Sequence, residues 1–106
     1  MESIYSKMAP GYKTIAFDEM CSYMTCGEDV TILDVRNVDE YRCGHVQGSI
    51  SLPVWDLERK ILYIVPDKDS KVFVYCASGV RSRTAAEKLT NMGYTQVYNL
   101  GGCKGK

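Results

Sequence analysis

Two segments, VTILDV (Val30 to Val35) and KVFVYC (Lys71 to Cys76), are apolar at nearly every position and rich in β-branched residues. A strand that meets water on one side alternates apolar with polar residues. A strand that does not alternate is covered on both faces, which is the situation of the inner strands of a parallel sheet. Parallel neighbours need crossover connections, and those are usually helices. These two runs therefore exclude a one-sided meander and favour an α/β layer fold.

The intervening sequence agrees. YKTIAF predicts a short strand over Lys13 to Ile15. Phe17, Met20, Cys21 and Met24 then fall at i, i+3, i+4 and i+7 on one helical face, and Gly27 stands where that helix stops. Asn37 and Glu40 have the spacing of a capping box. SISL predicts a short strand ended by Pro53, and WDLERKILYI a short helix. RSRTAAEKLTNM is a helix with Ala85, Leu89 and Met92 in one stripe, Ala86 beside it, and Gly93 as its left-handed stop. TQVYNL predicts a last strand. Residues 1–11 are polar and irregular and are expected to form a loose segment, with the domain occupying residues 12–106. Strand ends carry the sites of such sheets. Cys76 sits at one end, and Asp34 and Arg36 at another.

At 106 residues the chain has the length of one domain. Lys+Arg and Asp+Glu are both 13, giving zero formal net charge, so the basic footprint of a nucleic-acid binder or membrane-surface protein is absent. No apolar run reaches the ~20 residues of a membrane span. A monomer in the cytoplasm is expected, the alternative being a chain that begins after a removed leader. Five cysteines, an odd number, argue against a disulfide scaffold. The single histidine, and the spacing of Cys21/Cys26 and Cys43/His45, do not match paired zinc ligands.

Cys76 has two readings. An isolated cysteine ending a buried strand is commonly a small hydrophobe. Here Ala77, Ser78, Gly79 and Val80 lead straight into a helix beginning near Arg81. Their amides can turn toward the sulfur, the helix start adds its orphan N–H groups and dipole, and Arg81 adds a charge. All of these favour thiolate, the nucleophilic form. Gly79 leaves the backbone bare where it must approach an anion.

CASGVRS resembles the active-site loop of single-domain rhodanese-like sulfurtransferases, Cys-x-x-Gly-x-Arg-Ser/Thr. LDVRNVDEYRCGHVQGSISLP and NMGYTQVYNLGG resemble two further segments of that family, and the likeness runs from Tyr12 to Gly102. It implies a three-layer fold, with a central, mostly parallel sheet of about five strands flanked by helices. It also implies a Cys76 persulfide that carries sulfur from thiosulfate or a similar donor to cyanide or a thiol. On this reading Cys76 and Arg81 are catalytic, Ala77, Ser78, Gly79, Val80 and Ser82 hold substrate, and Asp34, Arg36 and Glu40 brace the loops, with Arg36 paired to Glu40. No cofactor or metal is required. Two alternatives share the fold: a persulfide carrier that serves a partner protein, and a non-catalytic interaction domain. The related cell-cycle phosphatases use a loop one residue longer, preceded by His where Tyr75 stands here, so phosphate-ester hydrolysis is disfavoured.

Other residues carry weaker expectations. His45 is read as part of a structural turn rather than a base. Trp55, Asp56 and Arg59 either line the mouth or simply start a surface helix, and Arg83 either adds positive potential there or is solvated. Cys103, in the tail GGCKGK, is either idle or a thiol able to resolve the Cys76 persulfide. Cys21 and Cys43 carry no specific role.

Overall fold

The computed structural model describes residues 11–24 and 30–103. The expected loose segment, apart from Gly11, lies outside the described residues, as do the helix stop at Gly27 and Cys26. The elements run β1 (Lys13–Thr14), α1 (Phe17–Met24), β2 (Val30–Asp34), α2 (Val38–Arg42), β3 (Ile50–Ser51), a 3₁₀ turn (Val54–Asp56), α3 (Leu57–Ile64), β4 (Lys71–Cys76), α4 (Val80–Asn91) and β5 (Gln96–Gly102). The five strands form one sheet in the order β1-β5-β4-β2-β3. Every pair is parallel. The two non-alternating runs are the inner strands β2 and β4, as their composition required.

Side chains from these strands feed two cores. On one face Leu33, Val35, Val72, Val74 and Cys76 pack with Leu57 and Ile61 of α3 and with Ala85, Ala86 and Leu89 of α4. On the other, Ile32, Phe73, Tyr75, Tyr98 and Leu100 pack with Met20 of α1. The strand period of two sends Tyr75 to one face and Cys76 to the other. The predicted stripe of α4 is the buried one. The helix ends as expected: Gly93, at φ +98°, lets its own N–H reach Thr90 O and that of Tyr94 reach Leu89 O, at 3.0 and 3.1 Å.

Some bounds differ from expectation. β1 is shorter than Lys13 to Ile15, although the Ile15 amide still donates to Asn99 O at 3.1 Å. The SISL strand contracts to two residues. The helix expected from Trp55 begins as a 3₁₀ turn, since Pro53 is extended and its carbonyl accepts from Asp56 N at 2.9 Å. β5 runs on to Gly102, because an irregularity in its pairing with β4 sets Tyr75 opposite Gly101 and Cys76 opposite Gly102.

The carboxyl ends of β2 and β4 are tied by a buried charge. Asp34 is 0% exposed. Its carboxylate accepts from Arg36 Nε at 2.9 and 3.1 Å, from Arg36 Nη2 at 2.6 Å and from the Arg36 amide at 3.0 Å. The Tyr75 hydroxyl donates to it across the strands at 2.8 Å. That same hydroxyl accepts from Val46 N at 2.9 Å and lies 3.2 Å from Ser49 Oγ, while Arg36 Nη2 also reaches Gly44 O at 2.7 Å. The expected pairing of Arg36 with Glu40 is therefore corrected. Residues two apart in an extended run share a face, so the Arg36 guanidinium folds back on Asp34.

Removing one member of a buried ion pair leaves the other desolvated and unpaired. Asp34→Ala is expected to lower unfolding stability by ~3–5 kcal/mol, measured as a shift of the urea midpoint.

Candidate active site

β4 ends at Cys76, and residues 77–79 connect it to α4. The turn is built on Gly79, which takes φ +99° at the position before the helix, a left-handed conformation costly for any residue with a Cβ. Gly79 offers α4 no capping side chain. The sulfur of Cys76 fills that place. It accepts from the amide of Gly79 at 2.9 Å and from that of Ser82, in the first turn, at 3.3 Å. The thiol thus acts as the acceptor that the first helical N–H groups otherwise lack.

Cys76 is 0% exposed. Burial pushes its thiol pKa up. The amides of Ser82, Gly79 and Ser78 pull it down, and the net result lies below the ordinary cysteine value. The Ser82 hydroxyl donates to Gly79 O at 3.1 Å and so also fastens the loop.

The loop rests on the end of β5. A Cβ on Gly102 would stand 2.5 Å from Ala77 O and 2.9 Å from the Ser78 carbonyl carbon, and one on Gly79 would stand 3.5 Å from Gly102 N. At Gly102 backbone therefore meets backbone with no room for a side chain, whereas Gly79 is required by its positive φ. The next amide, that of Cys103, donates to Cys76 O at 2.8 Å. Sequence reasoning placed Gly102 only at the close of the family pattern. Its role as the floor of the loop is a contact between distant segments.

Arg81 does not point freely into solvent. Its Nη1 and Nη2 donate to Glu40 Oε1 and Oε2 at 2.7 and 3.1 Å, with both side chains about one-third exposed. Glu40 Oε1 also accepts from Asn37 N at 3.0 Å, and Asn37 Oδ1 accepts from Glu40 N at 2.9 Å, which completes the predicted capping box of α2. The hydrogen bond from Arg81 holds the Glu40 carboxyl down to about 2, and Glu40 in turn raises the Arg81 pKa. Arg81 is also close enough to Cys76 for the thiolate charge to raise it further.

Of the predicted site residues, Ser78, Gly79 and Ser82 turn their amides toward the Cys76 sulfur, while the Arg81 side chain is paired with Glu40. Ala77 packs on Gly102, and Val80 is exposed at the start of α4. His45 stacks on the Tyr41 ring at 3.7 Å, with Nδ1 2.9 Å from Tyr41 O, inside its turn. Asp56 pairs with Arg59 and Lys60, and Trp55 is exposed. Arg83 is exposed on α4. Cys43, Cys76 and Cys103 are free thiols. Cys103 packs against the face opposite the one that holds Cys76. No group of His, Cys, Asp and Glu among the described residues could hold a metal ion, and no helix there is long and apolar enough to cross a membrane.

This arrangement, a strand-end thiol held in the first turn of the following helix, defines a class. The model of the Rhodanese-like domain matches residues 18–105. The thiosulfate sulfurtransferase PspE of Escherichia coli is 46% identical over 72 residues, covering 68% of this chain and 69% of PspE. Several other curated relatives are longer, and the chain spans 50% to 65% of them. A structure described as a rhodanese with anions from E. coli superposes with a TM-score of 0.68 at 43% identity, over 70% of this chain and 87% of that one. The human single-domain sulfurtransferase TSTD1 gives 0.73 at 26% identity, over 89% and 90%. The chain belongs to the rhodanese-like domain family.

Two outcomes are expected. Alkylation of Cys76 by iodoacetamide should titrate with a midpoint below that of free cysteine, the rate falling as pH drops through it because the thiolate is the reacting form. Gly102→Ala, by pressing a methyl group into Ala77 and Ser78, should move that midpoint up, and at pH values below both midpoints alkylation should slow about tenfold for each unit of thiol pKa gained.

Proposed function

We propose that the chain is a sulfurtransferase working through a Cys76 persulfide. The carrying observation is the sulfur itself, which sits at the end of β4 and accepts from the amides of Gly79 and Ser82. Family membership and the sulfurtransferase names of relatives support the same chemistry.

In the first step the Cys76 thiolate attacks the outer sulfur of thiosulfate. A new S–S bond forms, the old one breaks, and sulfite leaves with the bonding pair. The product, Cys76–S–S⁻, keeps its negative charge beside the amides that held the thiolate. Preorganised donors of this kind need no reorientation as charge moves. In the second step a nucleophile such as cyanide or a thiolate attacks the outer sulfur and takes it away, and the Cys76 thiolate returns. Splitting the transfer in two is nucleophilic catalysis, with ping-pong kinetics. The amides that lower the Cys76 pKa favour the thiolate, and His45 is engaged with Tyr41 inside its own turn, so neither step assigns it the role of base. Ser78, Gly79 and Ser82 act through N–H groups. Ala77 and Gly102 act by fixing where those groups point.

Intact mass after incubation of reduced protein with thiosulfate should rise by about 32 Da, one sulfur atom, and fall back on addition of cyanide. Cys76→Ser should show no gain. An unchanged mass with thiosulfate and with a polysulfide donor would sink the reading. An adduct that forms readily but is discharged slowly by cyanide would assign the chain to sulfur carriage for a partner instead.

A further inference from the structure

We propose that Glu40 sets the charge preference of the site, tuning it toward sulfur donors that carry little negative charge. This rests on the sulfurtransferase reading above. Arg81 is the one cationic side chain between Cys76 and Ser82. Both of its terminal nitrogens are committed to the two oxygens of Glu40. Parallel fork-to-carboxylate pairs of this kind are the strong, directional ones. Glu40 is itself held by the capping box at the start of α2, so it is a fixed counter-charge rather than a wandering surface group. Its carboxyl, held down to about 2, keeps its charge across the pH range in which a thiolate works.

The other guanidiniums of this region are similarly answered, Arg36 by Asp34 and Arg59 by Asp56, while Arg83 is exposed on α4. A donor approaching Cys76 therefore meets backbone N–H groups and, at Arg81, an ion pair close to neutral rather than a free cation. A dianion such as thiosulfate gains little attraction there and is desolvated as it enters. A singly charged thiosulfonate or an alkyl persulfide is desolvated at lower cost. The chemistry at sulfur is the same for each: thiolate attack on the outer sulfur expels sulfite from thiosulfate, a sulfinate from a thiosulfonate and a thiolate from an alkyl persulfide. Glu40 acts here through Arg81 and is a positioning residue.

Glu40→Gln isolates the charge. Glutamine at this place still completes a capping box, whereas the carboxylate opposite Arg81 is lost. The experiment compares kcat/KM for thiosulfate, with two negative charges, and methanethiosulfonate, with one, in the unaltered chain and in Glu40→Gln. Freed of its partner, the Arg81 charge should raise kcat/KM for thiosulfate roughly five- to tenfold and for methanethiosulfonate about two- to threefold. The thiosulfate value for the variant should fall between about 20 and about 200 mM salt, while that of the unaltered chain stays nearly flat.

A ratio between the two donors that is unchanged, or that shifts against thiosulfate, overturns the proposal even though both proteins turn over. Absence of a persulfide from either donor in the unaltered chain removes the sulfurtransferase reading, and this proposal with it. Should Glu40→Gln fail to fold, the salt series on the unaltered chain decides alone: a flat profile supports the compensated charge, and a steep fall overturns it.

Discussion

A carboxylate with no exposure to water has to find all its partners inside the protein, and the carboxyl edge of this sheet is organised around that requirement at Asp34. Arg36 supplies the charge and Tyr75 a hydroxyl from the neighbouring strand. Val46 and Gly44 draw the following turn in behind them. β2, β4 and residues 44–49 are thereby fixed to one another at the end of the sheet where β4 stops. The next residue after Tyr75 is Cys76. Strand alternation turns it to the opposite face, so the network anchors the strand end from one side while the thiol projects from the other. A buried ion pair is weak evidence for net stability, but here it fixes where the backbone of Cys76 lies.

A similar economy governs the loop. One carboxylate, that of Glu40, closes the capping box of α2 and clamps Arg81 of α4. One sulfur, that of Cys76, takes the N–H groups left over where α4 starts from a glycine. Helix geometry and site electrostatics are thus the same contacts viewed from two ends. Stabilising the thiolate and ordering the first turn of α4 are a single event, because the charge that favours the N–H groups is the charge they favour.

Much of this was legible in local sequence. The two non-alternating runs announced inner parallel strands, the Asn37–Glu40 spacing announced a cap, and the Ala85–Leu89 stripe announced the buried face of α4. Each is a pattern whose cause lies within a few residues. The ion pairs were not legible in the same way. Arg36 was expected on Glu40, four residues along, but the extended backbone carried it to Asp34, two residues back on the same face. The partner of Glu40 is Arg81, 41 residues away, and no local period encodes it. Tyr75, notable in the sequence only for not being histidine, proved to be the hydroxyl that joins β2 to β4. Gly102 was visible as a glycine, while the backbone pressed against it belongs to a loop 25 positions earlier.

The outermost pairing of the sheet has a consequence for how the chain reaches this state. β1, the first strand, lies beside β5, the last, with Lys13 opposite Tyr98. β2 lies between β3, which follows it in sequence, and the more distant β4. Loop closure must precede the reward of such pairing, so topologies rich in distant contacts fold slowly. The floor of the Cys76 loop is at the far end of β5, so the amide cradle is completed only when that last strand docks on β4. During synthesis, the thiol is translated well before its final environment exists. Until β5 arrives the loop lacks its floor, so the surroundings of Cys76 are completed last.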